Sequence, residues 1–236
     1  MNILVVVPTY NERENLPVLA AGVLKHEGFR MLVVDDASPD GTGAIADQLA
    51  REHPGRVEVM HRTAQRGLGR SYVDGLLHAL KEGTADFICQ MDADLSHNPD
   101  YLPELVAAGA THDLVIGSRY LNGVSVVNWP LHRIFLSAFG NQYIRLITNL
   151  STSDCTSGFR CWRREALARL PIAGMVSDGY AFLVEMLYNA KQLGLSIGEV
   201  PIIFIERRQG QSKLSSGVLL ESLVMPWRLV FRGSGS

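Results

Sequence analysis

Short apolar runs recur along the first half of the chain, each closed by a polar, turn-forming stretch and followed by a segment with apolar residues at helical spacing. Runs at 2–7, 29–34, 56–61, 87–91 and 113–116 have strand length, and those apolar at nearly every position predict strands buried on both faces. The intervening segments predict helices over 13–24, 44–52 and 71–81, and one started by Pro99, Pro103 and Glu104 and continued by Ala107 and Ala108. In 13–24, Leu16, Leu19, Val23 and Leu24 share one face. Strand and helix alternate through residue 120, the pattern of a mainly parallel, doubly wound α/β sheet.

After Tyr120 the pattern changes. Residues 121–130 read as loop, and 131–150 as a long amphipathic helix carrying Arg133, Ser137 and Arg145 among Ile134, Phe135, Leu136, Phe139, Ile144, Leu146 and Ile147. Such a helix packs on the domain or lies in a membrane interface. A polar loop over 151–158 leads to a short strand at Cys161 and Trp162 and a helix over 164–170. Ser177-Asp178-Gly179-Tyr180 caps a helix over 181–193, in which Glu185 falls among apolar residues and needs a partner or a function. Pro201 interrupts a last strand region over 195–204, which places it at a sheet edge. The segment 207–213 is basic, and the tail over 217–231 is helical and apolar, with Trp227 and Arg228 suited to a headgroup boundary. Gly233-Ser234-Gly235-Ser236 reads as a linker scar. The expectation is one domain over 1–232, with a nucleotide-binding half at 1–120 and an acceptor-facing, membrane-facing half at 121–232.

Composition narrows the setting. With 236 residues, 47% of them hydrophobic, the chain can bury a substantial core. No window reaches the roughly 18 uninterrupted apolar residues of a spanning helix. Cys89, Cys155 and Cys161 are odd in number and lack metal-type spacing, which predicts reduced thiols in a cytosolic protein. Met1 runs into the first strand without a basic region or cleavage site, so no secretory signal is expected.

Net charge is only -2, but residues 1–118 hold 9 Lys and Arg against 17 Asp and Glu, a net of −8, whereas residues 119–236 hold 13 against 7, a net of +6. This asymmetry points to an anionic partner for the second half. Lipid phosphate or a membrane surface fits better than nucleic acid, because no Lys or Arg run exceeds two residues.

The candidate chemistry lies at strand ends. Asp92 and Asp94 follow the 87–91 run, at the carboxyl edge where open α/β sheets bind ligands. Two carboxylates this close repel each other unless a cation compensates, and Mg²⁺ or Mn²⁺ takes oxygen ligands from carboxylates and substrate phosphates together. The alternative is a solvated turn with an Asx cap. Asp35 and Asp36 end the second strand, where a carboxylate binds base or ribose, or caps the next helix. Gly67 and Gly69 precede a helix and suit a phosphate or simply a turn. The segment from Arg207 to Lys213 is a phosphate clamp or a solvated loop.

Taken in order, Val7-Pro8-Thr9-Tyr10-Asn11-Glu12, Val34-Asp35-Asp36-Ala37-Ser38-Pro39-Asp40-Gly41-Thr42, Met91-Asp92-Ala93-Asp94-Leu95-Ser96-His97, Gly117-Ser118-Arg119-Tyr120, Ser157-Gly158-Phe159-Arg160, and Phe204 to Arg207 followed by Gly210-x-Ser212-Lys213 form a series. Over almost all of 3–215 the chain resembles the inverting nucleotide-sugar glycosyltransferases of the GT-A fold, and most closely the polyprenyl (dolichyl) phosphate mannose synthases.

That resemblance implies that Pro8, Tyr10, Glu12, Val34, Asp36, Asp92, Ala93 and Asp94 bind the nucleotide sugar. It implies a Mg²⁺ or Mn²⁺ ion on Asp92 and Asp94, with Ser96 at a third, variable position beside the metal. Arg119, Arg133, Ser137 and Arg207 would gather the lipid and donor phosphates, and Lys213 would belong to a closing loop; with Asp94 these form the catalytic set. Asp154, Asp178 and Glu185 would orient other groups, and His97 would support the metal loop.

The implied reaction is transfer of mannose from GDP-mannose to a polyprenyl phosphate, with inversion, by a protein peripheral on the cytoplasmic face of a membrane. Some members of the family carry C-terminal membrane spans that this sequence lacks, so the 131–150 and 218–230 helices are expected to rest on the bilayer, helped by a membrane-protein partner or homo-oligomerisation. Alternatives are glucose transfer from UDP-glucose to the same lipid, a transferase with a soluble acceptor, and a non-catalytic nucleotide-sugar-binding subunit.

Overall fold

The computed structural model describes residues 1–63, 67–175, 177, 179–206 and 216–233. The main sheet contains β1 (Ile3–Thr9), β2 (Phe29–Asp35), β3 (Val57–His61), β4 (Phe87–Gln90), β5 (Leu114–Ser118), β7 (Arg160–Arg163) and β8 (Ile197–Pro201); β6 (Val126–Val127) pairs separately with β9 (Phe204–Ile205). The spatial order in the main sheet is β3-β2-β1-β4-β7-β5-β8. Every pairing in it is parallel except the two made by β7. The expected mainly parallel α/β sheet is therefore present.

The helices are α1 (Asn15–Leu24), α2 (Thr42–Glu52), α3 (Leu68–Glu82), α4 (Leu102–Ala108), α5 (Leu131–Thr148), α6 (Arg164–Leu167), α7 (Gly179–Gln192) and α8 (Ser216–Gly233). Strand periodicity divides the core between the two faces of the sheet. Ile3, Val5 and Val7 of β1 join Leu16 and Leu19 of α1 and Leu102 of α4 on one face. Leu4 and Val6 join Tyr72 and Leu76 of α3 and Phe182 of α7 on the other. Each such aliphatic side chain, fully buried, contributes about 1.5–3 kcal/mol.

Helix α3 lies close to the sheet because Gly75 has no Cβ; one added there would stand 2.6 Å from Val6 Cγ1 and 2.8 Å from Val34 Cγ2. Strands β1, β2 and β4 are parallel neighbours, and the helix after β1 leads to β2 on one side while β4 lies on the other. Their carboxyl ends therefore frame the crevice typical of open α/β sheets.

Two elements depart from the sequence expectation. β7 spans Arg160–Arg163 and enters antiparallel between β4 and β5, and α6 stops at Leu167. Arg160, a charge at the centre of the sheet, breaks the apolar pattern, yet it is fully buried and donates to the carbonyls of Ser157 (2.8 Å), Leu183 (2.7 Å) and Cys155 (3.1 Å). Burial lowers its pKa to about 10, so the guanidinium stays charged at neutral pH. At the other end β8 pairs, among the described residues, with β5 alone, so Pro201 sits on an edge strand as expected.

Helix α5 buries only Asn141, Ile144 and Thr148, and leaves Leu131, Phe135, Leu136, Phe139 and Leu146 exposed. It packs on α8, where Tyr143 Oη donates to the Leu223 carbonyl at 2.8 Å and receives the Trp227 Nε1–H at 2.9 Å. Leu223, Trp227 and Phe231 of α8 are exposed too. Among the described residues no helix is long and apolar enough to cross a membrane.

Candidate active site

The carboxyl ends of β1, β2 and β4 open into a cavity of about 520 Å³. Its walls bring together Pro8, Tyr10, Glu12, Asp36, Asp92, Ala93, Asp94, Ser96, Arg119 and Arg133 from the expected set. Val34 and Ser137 do not line it. Val34 points into the core beneath α3 beside Gly75, because its position in β2 faces that helix. Ser137 accepts a 2.7 Å hydrogen bond from Tyr120 Oη instead. Arg207, Lys213 and Asp178 lie outside the described residues.

Three of the loops carry a non-glycine residue in the left-handed region: Asn11 (φ 60°) after Tyr10, Ala37 (φ 54°) after Asp36, and Leu95 (φ 61°) between Asp94 and Ser96. For Ala and Leu this conformation costs about 1–3 kcal/mol, a strain that clusters at functional sites. It turns each chain sharply just beyond its strand, so that neighbouring side chains face the cavity.

Both carboxylates after β4 are held from behind. Tyr72 Oη, fully buried on α3, donates to Asp92 Oδ1 at 3.0 Å. The Asp92 backbone N–H donates to His97 Nδ1 at 3.4 Å, and the imidazole stacks on Phe159 at 5.0 Å between centroids. Burial lowers the His97 pKa, so the ring is neutral and accepts at Nδ1; it supports this loop as expected. The close approach of Gly158 completes the setting, since a Cβ there would stand 3.3 Å from either Asp92 oxygen. The Ser96 hydroxyl and N–H both donate to Asp94 Oδ1, the latter at 3.1 Å, which makes Ser96 a hydrogen-bond partner of Asp94.

The Asp35–Asp36 loop is more tied down than its sequence suggests. Asp36 pairs with the buried Arg62, and its Oδ2 accepts the Gly67 N–H at 2.9 Å. Arg62 also donates to Asp74 (2.7 Å) and Ser71 (3.1 Å). The Gly67 N–H, a candidate phosphate donor by sequence, is thus engaged by Asp36 at the entrance to α3. Asp35 accepts from Ser38 Oγ at 2.6 Å and Thr9 Oγ1 at 3.3 Å.

The arginines line the same cavity. Arg119 forks onto fully buried Asp154 through Nε (2.6 Å) and Nη2 (2.7 Å), and Nη2 also reaches Thr156 Oγ1 at 2.8 Å. Burial alone would raise the Asp154 pKa, but the Arg119 charge and its hydrogen bonds outweigh this and hold it below the ordinary value. Arg133 donates from Nη1 to Glu206 Oε1 at 2.5 Å and lies over the Trp129 ring, 4.1 Å from its centroid. Arg119 faces the same ring at 5.7 Å, and Tyr120 and Phe204 enclose it further at 5.5 and 5.4 Å. The Trp129 Nε1–H is buried without a hydrogen-bond partner among the described residues. One indole therefore carries two guanidinium groups, each already paired with a carboxylate.

The sequence pattern of glycosyl transferase family 2 matches residues 4–170, which contain both the carboxylate and the arginine walls. The chain belongs to this family. It is 45% identical over 224 residues to the polyprenol monophosphomannose synthase of Mycolicibacterium smegmatis, covering 93% of this chain and 83% of that protein. It is 44% identical over 239 residues to the undecaprenyl-phosphate mannosyltransferase of Micrococcus luteus, covering 100% of this chain and 97% of that protein. Among solved structures, glucosyl-3-phosphoglycerate synthase from Mycobacterium tuberculosis with uridine diphosphate superposes with a TM-score of 0.66 at 18% identity, covering 95% of this chain and 79% of that one. The same enzyme with Mn²⁺, UDP-glucose and phosphoglyceric acid gives the same TM-score and identity, with the same coverage. At this identity the match supports the GT-A fold.

Several residues of this family 2 glycosyltransferase escaped the sequence reading. Tyr72 reads as a core position at helical spacing, and nothing in its neighbours announces the bond to Asp92. Trp129 lies in a loop that offers no periodicity, although an aromatic residue four positions before Arg133 is a usable hint. Glu185 is buried as expected, and its Oε2 has no hydrogen-bond partner among the described residues, but it does not line the cavity.

Proposed function

We propose that this glycosyltransferase moves mannose from GDP-mannose to the phosphate of a polyprenyl phosphate, with inversion, forming polyprenyl phosphate β-mannose and GDP. The observation that carries this reading is a single cavity lined by two carboxylates, Asp92 and Asp94, and by two guanidinium groups that share one indole. The names of the two relatives at 44–45% identity, a polyprenol monophosphomannose synthase and an undecaprenyl-phosphate mannosyltransferase, support the lipid acceptor and the sugar.

The donor set of the carboxylate wall suits a hard divalent cation. Asp92 and Asp94 line the cavity and offer carboxylate oxygen, the donor type such a cation takes. Such a set leaves ligand positions for a substrate diphosphate, as Mg²⁺ sites usually do. When bound, Mg²⁺ or Mn²⁺ supplies Lewis-acid stabilisation of the departing diphosphate. Asp92 and Asp94 would hold it, while Tyr72 and Ser96 fix the orientation of those carboxylates. Pro8, Tyr10, Glu12 and Asp36 form the nucleotide side of the same cavity.

Arg119 and Arg133 then receive the acceptor phosphate. Its ionised oxygen is the nucleophile: a phosphate monoester has a second pKa of about 6, so it attacks the anomeric carbon without a strong general base. The arginines relieve the repulsion between two anions and hold the acceptor in line. Arg207 and Lys213 are proposed to join them. A polyprenyl chain requires an apolar surface beside this wall, and α5, which carries Arg133, exposes Phe135 and Phe139. Residues 1–232 work in this reading as one domain, peripheral on the cytoplasmic face of a membrane.

Radiolabelled transfer to a short polyprenyl phosphate with Mn²⁺, run in parallel from GDP-mannose and UDP-glucose, tests the proposal. Labelled lipid is expected from GDP-mannose; label from UDP-glucose alone, or from neither donor, would overturn it.

A further inference from the structure

Arg133 is already paired. Its Nη1 donates to Glu206 Oε1 at 2.5 Å, with the Arg133 and Glu206 side chains 17% and 33% exposed. Glu206 is brought there by built structure: β9 pairs with β6, the Phe204 N–H donates to the Ser125 carbonyl at 3.0 Å and the Glu206 N–H to the Val127 carbonyl at 3.1 Å. The Ile205 N–H reaches the Ser96 carbonyl at 3.3 Å, which ties this strand to the loop carrying Asp94. A carboxylate is thus delivered to one of the two arginines that share Trp129, while Arg119 has its own deeply buried partner in Asp154.

The two ion pairs differ in kind. Asp154 is fully buried and bonded at both oxygens, so its pairing with Arg119 is structural. The Glu206 pair is part-exposed and, among the described residues, shows one hydrogen bond, so fewer contacts hold it than hold the Asp154 pair. Carboxylate and phosphate present the same chemistry to a guanidinium, an anionic oxygen acceptor, but a phosphate monoester carries up to two charges and three acceptor oxygens. A dianion arriving at Arg133 meets the Glu206 charge and repels it.

We propose that Glu206 is an internal stand-in for the acceptor phosphate, holding Arg133 in the cavity wall until a phosphate monoester displaces it. This rests on the reading that Arg133 binds the acceptor phosphate. Glu206 then sets acceptor affinity and specificity: a neutral ligand cannot dislodge a carboxylate from Arg133, whereas a phosphate dianion does. Arg133 is the cation this carboxylate pairs with, so the donor KM is the internal control.

Steady-state kinetics of Glu206→Gln and Arg133→Ala, with a short-chain polyprenyl phosphate varied at saturating donor, separate the two claims. Inhibition by inorganic phosphate and thermal melting are measured on the same samples. Glu206→Gln keeps a hydrogen-bond acceptor for Arg133 but removes the charge. It is expected to lower the acceptor KM by about three- to ten-fold and to strengthen phosphate inhibition, with the donor KM and melting temperature unchanged. Arg133→Ala is expected to raise the acceptor KM. An acceptor KM that is unchanged or raised in Glu206→Gln, alongside a raised KM in Arg133→Ala, would overturn the stand-in role alone. An acceptor KM unaffected by Arg133→Ala would overturn the assignment of that arginine, and the inference with it.

Discussion

The hydroxyl of Tyr72, a fully buried residue of α3, donates to Asp92 Oδ1 at 3.0 Å. The bond fixes the carboxylate without neutralising it, because the phenol pKa is raised, first by burial and then by the Asp92 charge. A neutral donor of this kind orients a metal ligand while leaving its charge for the ion.

Tyr72→Phe should therefore separate positioning from folding. Loss of one hydrogen bond to a charged group costs about 1.5–3 kcal/mol of stability at most. Affinity for Mn²⁺ in the presence of GDP, measured by calorimetry, is expected to fall about ten-fold. Unchanged Mn²⁺ affinity in a folded variant would remove Tyr72 from the site.

The Arg119–Asp154 pair makes a pH prediction. The Asp154 pKa is depressed in the folded state, since Arg119 outweighs the effect of burial. A depressed carboxylate contributes stability that is fully present above its unfolded pKa of about 3.9 and lost as pH falls through the lower folded value. Asp154→Asn leaves a buried guanidinium without its counter-charge and should cost about 3–5 kcal/mol at neutral pH. It should also flatten the acid limb of the stability profile below about pH 4. Denaturant melts of both proteins across that limb check the claim; parallel profiles would show that Asp154 does not titrate as described.

How much of this was legible beforehand varies residue by residue. The strand ends at Asp35 and Asp92 were readable because parallel strands buried on both faces are apolar nearly throughout, so the first carboxylates mark their exits. The antiparallel entry of β7 was not, since a strand's neighbours and direction depend on partners far along the chain, and buried Arg160 disguised even its length. Asp36 was visible as a site residue, but its pairing with Arg62 was not, because that bond links positions 26 residues apart. Val34 opens one of the motifs and was assigned to the pocket with it; strand alternation turns its side chain into the core under Gly75 instead.

The apolar face of α5 and α8 predicts association with a bilayer. Phe135 and Phe139 are 72% and 67% exposed, so replacing both with Ser should leave the melting temperature within about 1 °C of the parent. The same change should shift the protein from floated anionic vesicles to the soluble fraction. Flotation equal to that of the parent would place the membrane contact elsewhere.

The central claim is that Asp92 and Asp94 hold a divalent ion on the leaving diphosphate. The direct measurement is mannose transfer to a short polyprenyl phosphate after chelation, with Mn²⁺ added back to the parent protein and to Asp94→Asn, together with calorimetric Mn²⁺ binding to both in the presence of GDP. The parent should lose transfer on chelation and regain it with Mn²⁺, while folded Asp94→Asn should bind Mn²⁺ at least about ten-fold more weakly and transfer mannose at least about a hundred-fold more slowly. Full transfer by chelated parent protein, or parental Mn²⁺ affinity and rate in Asp94→Asn, would contradict it.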